Sequence, residues 1–531
     1  MGPAALMVAF TVAAQSPPPA LPHYAITVRL QPSAPRLAAI ATVDLPASDT
    51  GRASFVLAEM FTLTSVEVSD GRDYRPVRLD SSFVSGSRPG WGNVRWRLPD
   101  DPSPRSMRVR YQLDTAATAF VFGLDDTITF ASGINTAWYP QLEDGKSAVA
   151  GRVRTKRGIG TLRFEVPGGV MVYALGVQRG QTFEVSTPAY FNFAAARFQV
   201  RQSPPSADGT PPTATYYLTR REAAASYVTQ SLAVLRALAA EFGAYPFPRF
   251  ALVEIPTGLA DRAGFAGASV DGAIFTTSEY LDQPFNPAYY GHEIGHQWWG
   301  VTIRPAGPRG TWLLAEGMAQ YGGLRAVEAI AGAEAARTFR RREYPGYFGQ
   351  GGELYFRTVA QGHDAPLADL SPGEEWARDI ADSKGFMTLN ALANEMGRDR
   401  LRAAFRGILR DFRERRLFWD DFLAAITRAA GRDMTWFSTQ WFERTGAPEL
   451  IAELIPSAGQ IRIRQPRDQY RLTVELAVFG AGCRPRLRIT VSAREERVPL
   501  PAGCRADSLV VDPDYQILRW TPELRARFDR R

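Results

Sequence analysis

Four residues of this chain have the types and the spacing to hold a metal ion and use it: His292, Glu293, His296 and Glu316. His292 and His296 stand four apart in His292-Glu293-Ile294-Gly295-His296. On a helix both imidazoles therefore leave one face, one turn apart. Two imidazoles so placed can grip a tetrahedral zinc ion, with Glu293 beside the metal as the base for an attacking water. Glu316 supplies a third ligand if it lies on a second helix packed against the first. Three protein ligands leave one position for water, which is the catalytic rather than the structural pattern, and one zinc per chain is expected. The bare motif also occurs in helices that only bury two histidines. Composition argues otherwise here, because two of the only four histidines (His23, His292, His296, His363) fall in it.

These residues need elements to position them. Asn286-Pro287 is a good helix start, with Asn as the cap and Pro at the first helical position. Trp312, Leu313, Ala319, Leu324, Ala326, Val327 and Ile330 have helical spacing, which predicts the second helix from Thr311 to about Gly332. Upstream, Arg221 to Phe242 reads as a long amphipathic helix, and 251–256 and 272–275 read as buried strands. Downstream, helices are expected over 383–396, 398–413, 419–430 and 436–445. Residues from about 23 to 200 alternate apolar and polar, as in Tyr24-Ala25-Ile26-Thr27-Val28-Arg29-Leu30, the pattern of a β-sandwich. Alternation returns from Leu450 to Trp520, a smaller β-sandwich. The polar, Pro-rich stretch 203–212 marks a boundary. The expected organisation is a possible signal peptide over 1–15 and an N-terminal β-sandwich over 16–202. A zinc-binding domain with a helical region over 215–448 and a C-terminal β-sandwich over 449–531 follow.

The length, 531 residues, suffices for three or four domains with a large core. The net charge of +7 is spread along the chain and carried almost wholly by arginine, since only Lys146, Lys156 and Lys384 are lysines. No nucleic-acid-binding motif accompanies it, so no nucleic-acid partner is expected. No internal run of about twenty apolar residues exists, so no transmembrane segment is expected. The apolar start with Val12-Ala13-Ala14 reads as a signal peptide lacking its basic region, and a Pro-rich tail fits the same residues. A periplasmic or secreted location follows from the first reading. Cys483 and Cys504, the only cysteines, fit either a disulfide or two buried thiols.

HEIGHQWWG at 292–300 followed by WLLAEG at 312–317 resembles the zinc aminopeptidases typified by aminopeptidase N and leukotriene hydrolase. That family usually places eighteen residues between the second His and the Glu. Here nineteen intervene, Gln297 to Ala315. This is closer to a bacterial branch associated with transporter permeases, which also has HQWWG and a Gln-Tyr placed like Gln320-Tyr321. The resemblance extends in order along nearly the whole chain, through Trp138-Tyr139-Pro140, Phe242-Gly243-Ala244-Tyr245-Pro246-Phe247 and Gln440-Trp441-Phe442. It implies an α+β multidomain fold with a thermolysin-like zinc domain, and hydrolysis of a peptide or protein substrate. His292, His296 and Glu316 would hold the zinc and Glu293 would be the base. Gln320, one turn after Glu316, can hydrogen-bond a ligand from behind, although a surface glutamine fits the sequence as well.

Two features of that family are absent. Its oxyanion-stabilising tyrosine lies two residues before a Lys-Gly, and here Lys384-Gly385 is preceded by Asp382. An ionised carboxylate donates no hydrogen bond, and loss of one oxyanion donor lowers the rate by roughly two to three orders of magnitude. His363, Tyr355 and Arg357 are candidate replacements. The family's amine-anchoring glutamate aligns with Ser269 in Gly267-Ala268-Ser269-Val270-Asp271-Gly272, and Asp271, two residues on along the same strand face, is the alternative anchor. The leading expectation is an exported zinc peptidase of aminopeptidase type. The alternative is a catalytically weakened, peptidase-like zinc protein that binds a peptide or protein partner. A serine hydrolase built on Ser269 is disfavoured, because its surroundings lack the second glycine of a nucleophile elbow.

Overall fold

The computed structural model describes residues 20–528 except 32, 48–52, 85, 87, 100–104, 145–153, 220–221, 343, 346–350 and 372. The signal-peptide stretch 1–15, and Arg221 at the start of the expected helix, lie outside the described residues.

The N-terminal unit is β-rich. His23–Gln31 alternates exposed and buried positions and sends Tyr24, Ile26, Val28 and Leu30 inward, because successive side chains of a strand point to opposite faces. It lies between Arg36–Asp44 and Gly158–Glu165 in an eight-stranded sheet. A five-stranded sheet behaves differently: Ile128–Ser132 and Asn192–Ala196 are buried at every position. Phe130, Tyr173 and Ala194 on it pack against Val253 and Phe275 of the next unit, so these two central strands have no solvent face and show no alternation.

The middle unit carries the second sheet of interest. Its strands are β1 (Gln199–Gln202), β2 (Thr213–Tyr217), β3 (Phe250–Ile255), β4 (Gly267–Val270) and β5 (Ala273–Thr277), in the order β1-β2-β3-β5-β4. β2, β3 and β5 run parallel and are buried throughout, while β1 and β4 close the sheet antiparallel at its edges. The Pro-rich stretch 203–212 therefore joins two paired strands of one sheet. It does not separate two units as its composition suggested, because β1 takes its backbone partners from β2.

Helix α1 (Ala224–Phe242) covers this sheet, and α2 (Pro287–Gly295) and α3 (Met318–Arg341) follow. Asn286 Oδ1 accepts from the amides of Ala288 and Tyr289 at 3.0 and 3.2 Å, the cap that Asn286-Pro287 led one to expect. Every residue of α2 is buried. α2 and α3 cross closely because small residues face each other. A Cβ on Gly291 would come within 2.5 Å of Ala326 Cβ, and one on Gly295 within 3.0 Å of the Ala319 carbonyl. α3 breaks its helical geometry at Gly332, where the sequence predicts the end, and then continues to Arg341.

Helix α4 (Glu375–Ile380) leads through a π-turn into α5 (Phe386–Met396). Helices Arg398–Phe412 and Trp419–Ala430 match their expected spans, whereas 436–445 is a short helix, Thr435–Phe437, followed by a π-turn, Ser438–Phe442. Two three-stranded antiparallel sheets form the C-terminal unit. Ile461, Ile463, Leu472, Val474 and Leu476 fill it, in a core continuous with that of the helical region. Cys483 and Cys504 form a disulfide. Among the described residues, no helix is long and apolar enough to cross a membrane.

Candidate metal centre

His292 in the last turn of α2 and His296, its C-cap in helical conformation, project together, with their Nε2 atoms 3.1 Å apart. Glu316 Oε2 lies 3.5 Å from the first and 3.6 Å from the second. A tetrahedral zinc with bonds of about 2.0–2.1 Å requires donor atoms separated by about 3.3–3.4 Å. The three separations bracket that edge, so the donor set fits zinc. Glu316 Oε2 is also buried and makes no hydrogen bond, and the charges around it are cationic, with Arg378 Nη2 at 3.3 Å, which suits a carboxylate oxygen aimed at a cation position. Each imidazole is held from behind. His292 Nδ1 lies 2.7 Å from Gln320 Oε1, and His296 Nδ1 lies 3.0 Å from the Trp299 carbonyl. Both partners are acceptors, so the proton sits on Nδ1 and the Nε2 lone pair faces the metal position. Gln320 is fully buried, which excludes the surface-glutamine reading.

Glu316 arrives through an irregular helix. Residues Leu313–Gly317 form a π-turn at the head of α3. The His-to-Glu interval is one residue longer than in the family the motif resembles. In a regular α-helix one added residue would turn everything after it by about 100°. The wider π-turn accommodates an extra residue without that rotation. A second π-turn, Ala381–Gly385, carries Asp382 and crosses the first. The crossing is glycine on glycine: a Cβ on Gly385 would lie 3.4 Å from Gly317 Cα, and one on Gly317 would lie 3.2 Å from the Ala381 carbonyl. The glycines of WLLAEG and of Lys384-Gly385 thus let two irregular turns touch, and each presents one carboxylate.

Glu293 stands beside the triad. Its Oε2 accepts a hydrogen bond from Ser269 Oγ at 2.7 Å, and Ser269 Oγ is also 2.7 Å from the Glu293 carbonyl. Ser269 was expected at the position of a substrate amine anchor. Its hydroxyl instead faces Glu293, because edge strand β4 runs alongside α2. With a glutamate and not a histidine as its partner, it has no nucleophilic triad either. Asp271 does not take the place of an amine anchor either. β4 ends at Val270, and Gly272 turns the chain with φ +76°, so the two-residue strand period does not carry from Ser269 to Asp271. The Asp271 side chain is 1% exposed and accepts from the Tyr190 amide at 3.3 Å, while its carbonyl accepts from Asn192 Nδ2 at 2.8 Å. It lies in the seam with the N-terminal unit. Burial pushes its carboxyl up to about 6, opposed by the charges of Arg304 and Arg157.

Asp382 is also buried, and burial pushes its carboxyl above the usual carboxylate range. Its Oδ2 lies 3.5 Å from Arg378 Nε, one helical turn earlier, and Arg378 Nη2 lies 3.3 Å from Glu316 Oε2. Of the three candidate oxyanion donors, Tyr355 gives its hydroxyl to Asp364 at 2.8 Å and His363 stacks on Trp376 at 5.2 Å. Arg357 sits near Asp379. Sequence reading missed Arg378, although its four-residue offset from Asp382 was a usable signal. It also missed Gln297 of HQWWG. That side chain donates to the carbonyls of Val270 and Ala273 at 3.0 and 3.2 Å and accepts from the Gly272 amide at 3.0 Å, clamping the β4–β5 turn to the end of α2. Trp298 Nε1 donates to the Gly243 carbonyl at 3.0 Å, tying the same end of α2 to α1.

No family model matches the chain, and no curated protein sequence matches it. Solved structures do. An M1 zinc metallopeptidase from Deinococcus radiodurans is similar with a TM-score of 0.59 and 16% identity, over 81% of this chain and 94% of that one. A point mutant of that enzyme bound to a Tyr-Ser-Ala substrate matches with a TM-score of 0.58 and 16% identity, over 80% of this chain and 94% of that one. A further structure of that mutant matches at 17% identity with a TM-score of 0.58. The chain shares the multidomain fold of M1 zinc metallopeptidases.

Proposed function

We propose that this chain is a zinc-dependent metallopeptidase acting on peptides or proteins. One observation carries the reading: three donor atoms from α2 and the π-turn before α3, separated by 3.1, 3.5 and 3.6 Å, with a carboxylate beside them. The shared fold supports it. Zinc held by His292, His296 and Glu316 would supply a Lewis acid that polarises a carbonyl and acidifies water.

The chain's own residues do the rest. Ser269 holds Glu293 Oε2, which leaves Oε1 to take a proton. Water oxygen bonds to the peptide carbonyl carbon as Glu293 removes its proton, and the C=O pair moves onto oxygen. Collapse restores C=O and breaks C–N, and the proton on Glu293 passes to the leaving nitrogen. Gln320 fixes the His292 tautomer throughout. An aminopeptidase is the finer reading, supported by motif and fold. The acidic anchor for a free amine would have to be a group other than Ser269 or Asp271, given how both are engaged. We also read the chain as exported, periplasmic or secreted, which the Cys483–Cys504 disulfide supports.

A second reading, a zinc protein that captures a peptide with little turnover, is favoured by Asp382 standing where the resembled family has its oxyanion donor. A digest of free and N-blocked peptides by wild type and Glu293→Gln decides between them. Cleavage that needs zinc and is lost in the variant supports the peptidase. Cleavage that survives complete removal of zinc overturns it. Preference for unblocked peptides supports the aminopeptidase reading.

A further inference from the structure

We infer that Arg378 is a catalytic residue of this site: its guanidinium takes the oxyanion role that Asp382 cannot fill. The inference rests on the peptidase reading and adds a residue to it. Hydrolysis places negative charge on the former carbonyl oxygen, and that charge needs a donor next to the metal ligands. Arg378 is the cation whose nitrogen stands beside a metal-binding carboxylate, with Nη2 3.3 Å from Glu316 Oε2. Neither Tyr355 nor His363 is so placed.

The position is built. Arg378 lies on α4, one turn before the π-turn, so its stem and Asp382 leave the same side. Asp382 is 1% exposed while the Arg378 side chain is 51% exposed. The carboxylate is therefore the buried anchor, and the guanidinium reaches from it towards solvent beside Glu316. Guanidinium keeps its charge at every working pH and presents five N–H donors in a planar fork. A substrate oxygen drawn to the position that His292, His296 and Glu316 surround would meet that fork, whose Nη2 lies 3.3 Å from Glu316 Oε2. A tyrosine hydroxyl at position 382 would reach the oxyanion directly. Here the same turn holds an acid, and the donor comes from one turn earlier. A plain counterion role is the weaker account, because the Arg378 side chain is half exposed and its ion pair is screened by solvent. Bound zinc would give Glu316 a counter-charge of its own.

The test uses the full chain loaded with zinc, as wild type, Arg378→Gln and Arg378→Lys. Peptide kinetics are measured together with zinc content and the Kd of a phosphinic peptide, whose tetrahedral anionic phosphorus group imitates the intermediate. Loss of one oxyanion donor predicts that Arg378→Gln lowers kcat about 100- to 1,000-fold with KM within about threefold of wild type. Phosphinate binding should weaken by a comparable factor, zinc content should hold, and Arg378→Lys should recover part of both losses. Unchanged kcat and unchanged phosphinate affinity in Arg378→Gln would overturn the inference. So would a loss of zinc that accounts for the lost rate, since Arg378 would then only support Glu316. If wild type cleaves nothing, the peptidase reading fails, and the phosphinate comparison still decides whether Arg378 receives the anion.

Discussion

Replacing Gln320 with methionine should weaken zinc binding without unfolding the protein. Gln320 is fully buried, and its Oε1 lies 2.7 Å from His292 Nδ1. Methionine has similar bulk but offers only a weak acceptor. The variant would remove the good acceptor that faces the buried His292 Nδ1, at a cost of about 1–3 kcal/mol. Part of that cost falls only on the metal-bound state, because zinc makes the ring N–H a stronger donor. Outer-sphere partners of this kind change metal affinity by about 10- to 100-fold, which is about 1.4–2.7 kcal/mol. Gln320→Glu keeps the acceptor and makes it charged, so its affinity should equal or exceed that of wild type. The assay is competition against a chromophoric chelator at one fixed neutral pH, since protons compete with zinc for both imidazoles. His296 serves as the internal control, because its Nδ1 partner is the Trp299 carbonyl, which neither substitution removes. The reasoning fails if Gln320→Met binds zinc within about twofold of wild type, because the hydrogen bond would then set neither tautomer nor ring orientation.

Three further outcomes are expected. Ser269→Ala removes a charge-assisted hydrogen bond to Glu293 Oε2 and should lower kcat by about tenfold or more with little change in KM, whereas Ser269→Thr should retain most of the rate; a KM effect alone would assign Ser269 to substrate binding. Gly385→Val forces bulk into a crossing where a Cβ alone would lie 3.1 Å from Leu313 Cδ1, so thermal unfolding should show a loss of about 1–3 kcal/mol together with weaker zinc binding. Glu241 is fully buried and accepts from Tyr321 at 2.9 Å, Arg402 at 3.0 Å and Arg398 at 3.2 Å, so Glu241→Ala should destabilise by about 3–5 kcal/mol in denaturation experiments. A small change there would mean that water replaces the carboxylate.

Much of the fold was legible because its signals are local. The strand His23–Gln31 is half-buried, so its alternation was visible, and the Asn286-Pro287 cap and the apolar spacing of α3 were equally plain. Strands such as Asn192–Ala196 are covered on both faces, so no alternation marked their orientation. The π-turns left no trace in periodicity. An expected helix over 383–396 became a turn of five residues followed by α5, because two glycines let Ala381–Gly385 press on Leu313–Gly317. Proline content misled at 203–212, where strand pairing between β1 and β2 outweighs composition.

The sequence by itself determined that two imidazoles share one helix face with a carboxylate between them, and that a second helix bearing Glu316 follows. Those facts need only the helical repeat, which holds wherever the helix packs. Tertiary structure alone decided which distant groups meet that face. The glycine-lined crossing of α2 and α3 sets the distance from Glu316 to the imidazoles, and β4 brings Ser269 to Glu293. The end of that strand at Val270 removes Asp271 to the domain seam, and α4 delivers Arg378 together with Asp382. The spacing of residues along one element fixes their relative directions. Contacts between elements depend on side-chain volumes and on how backbones cross, and no short stretch of sequence states those.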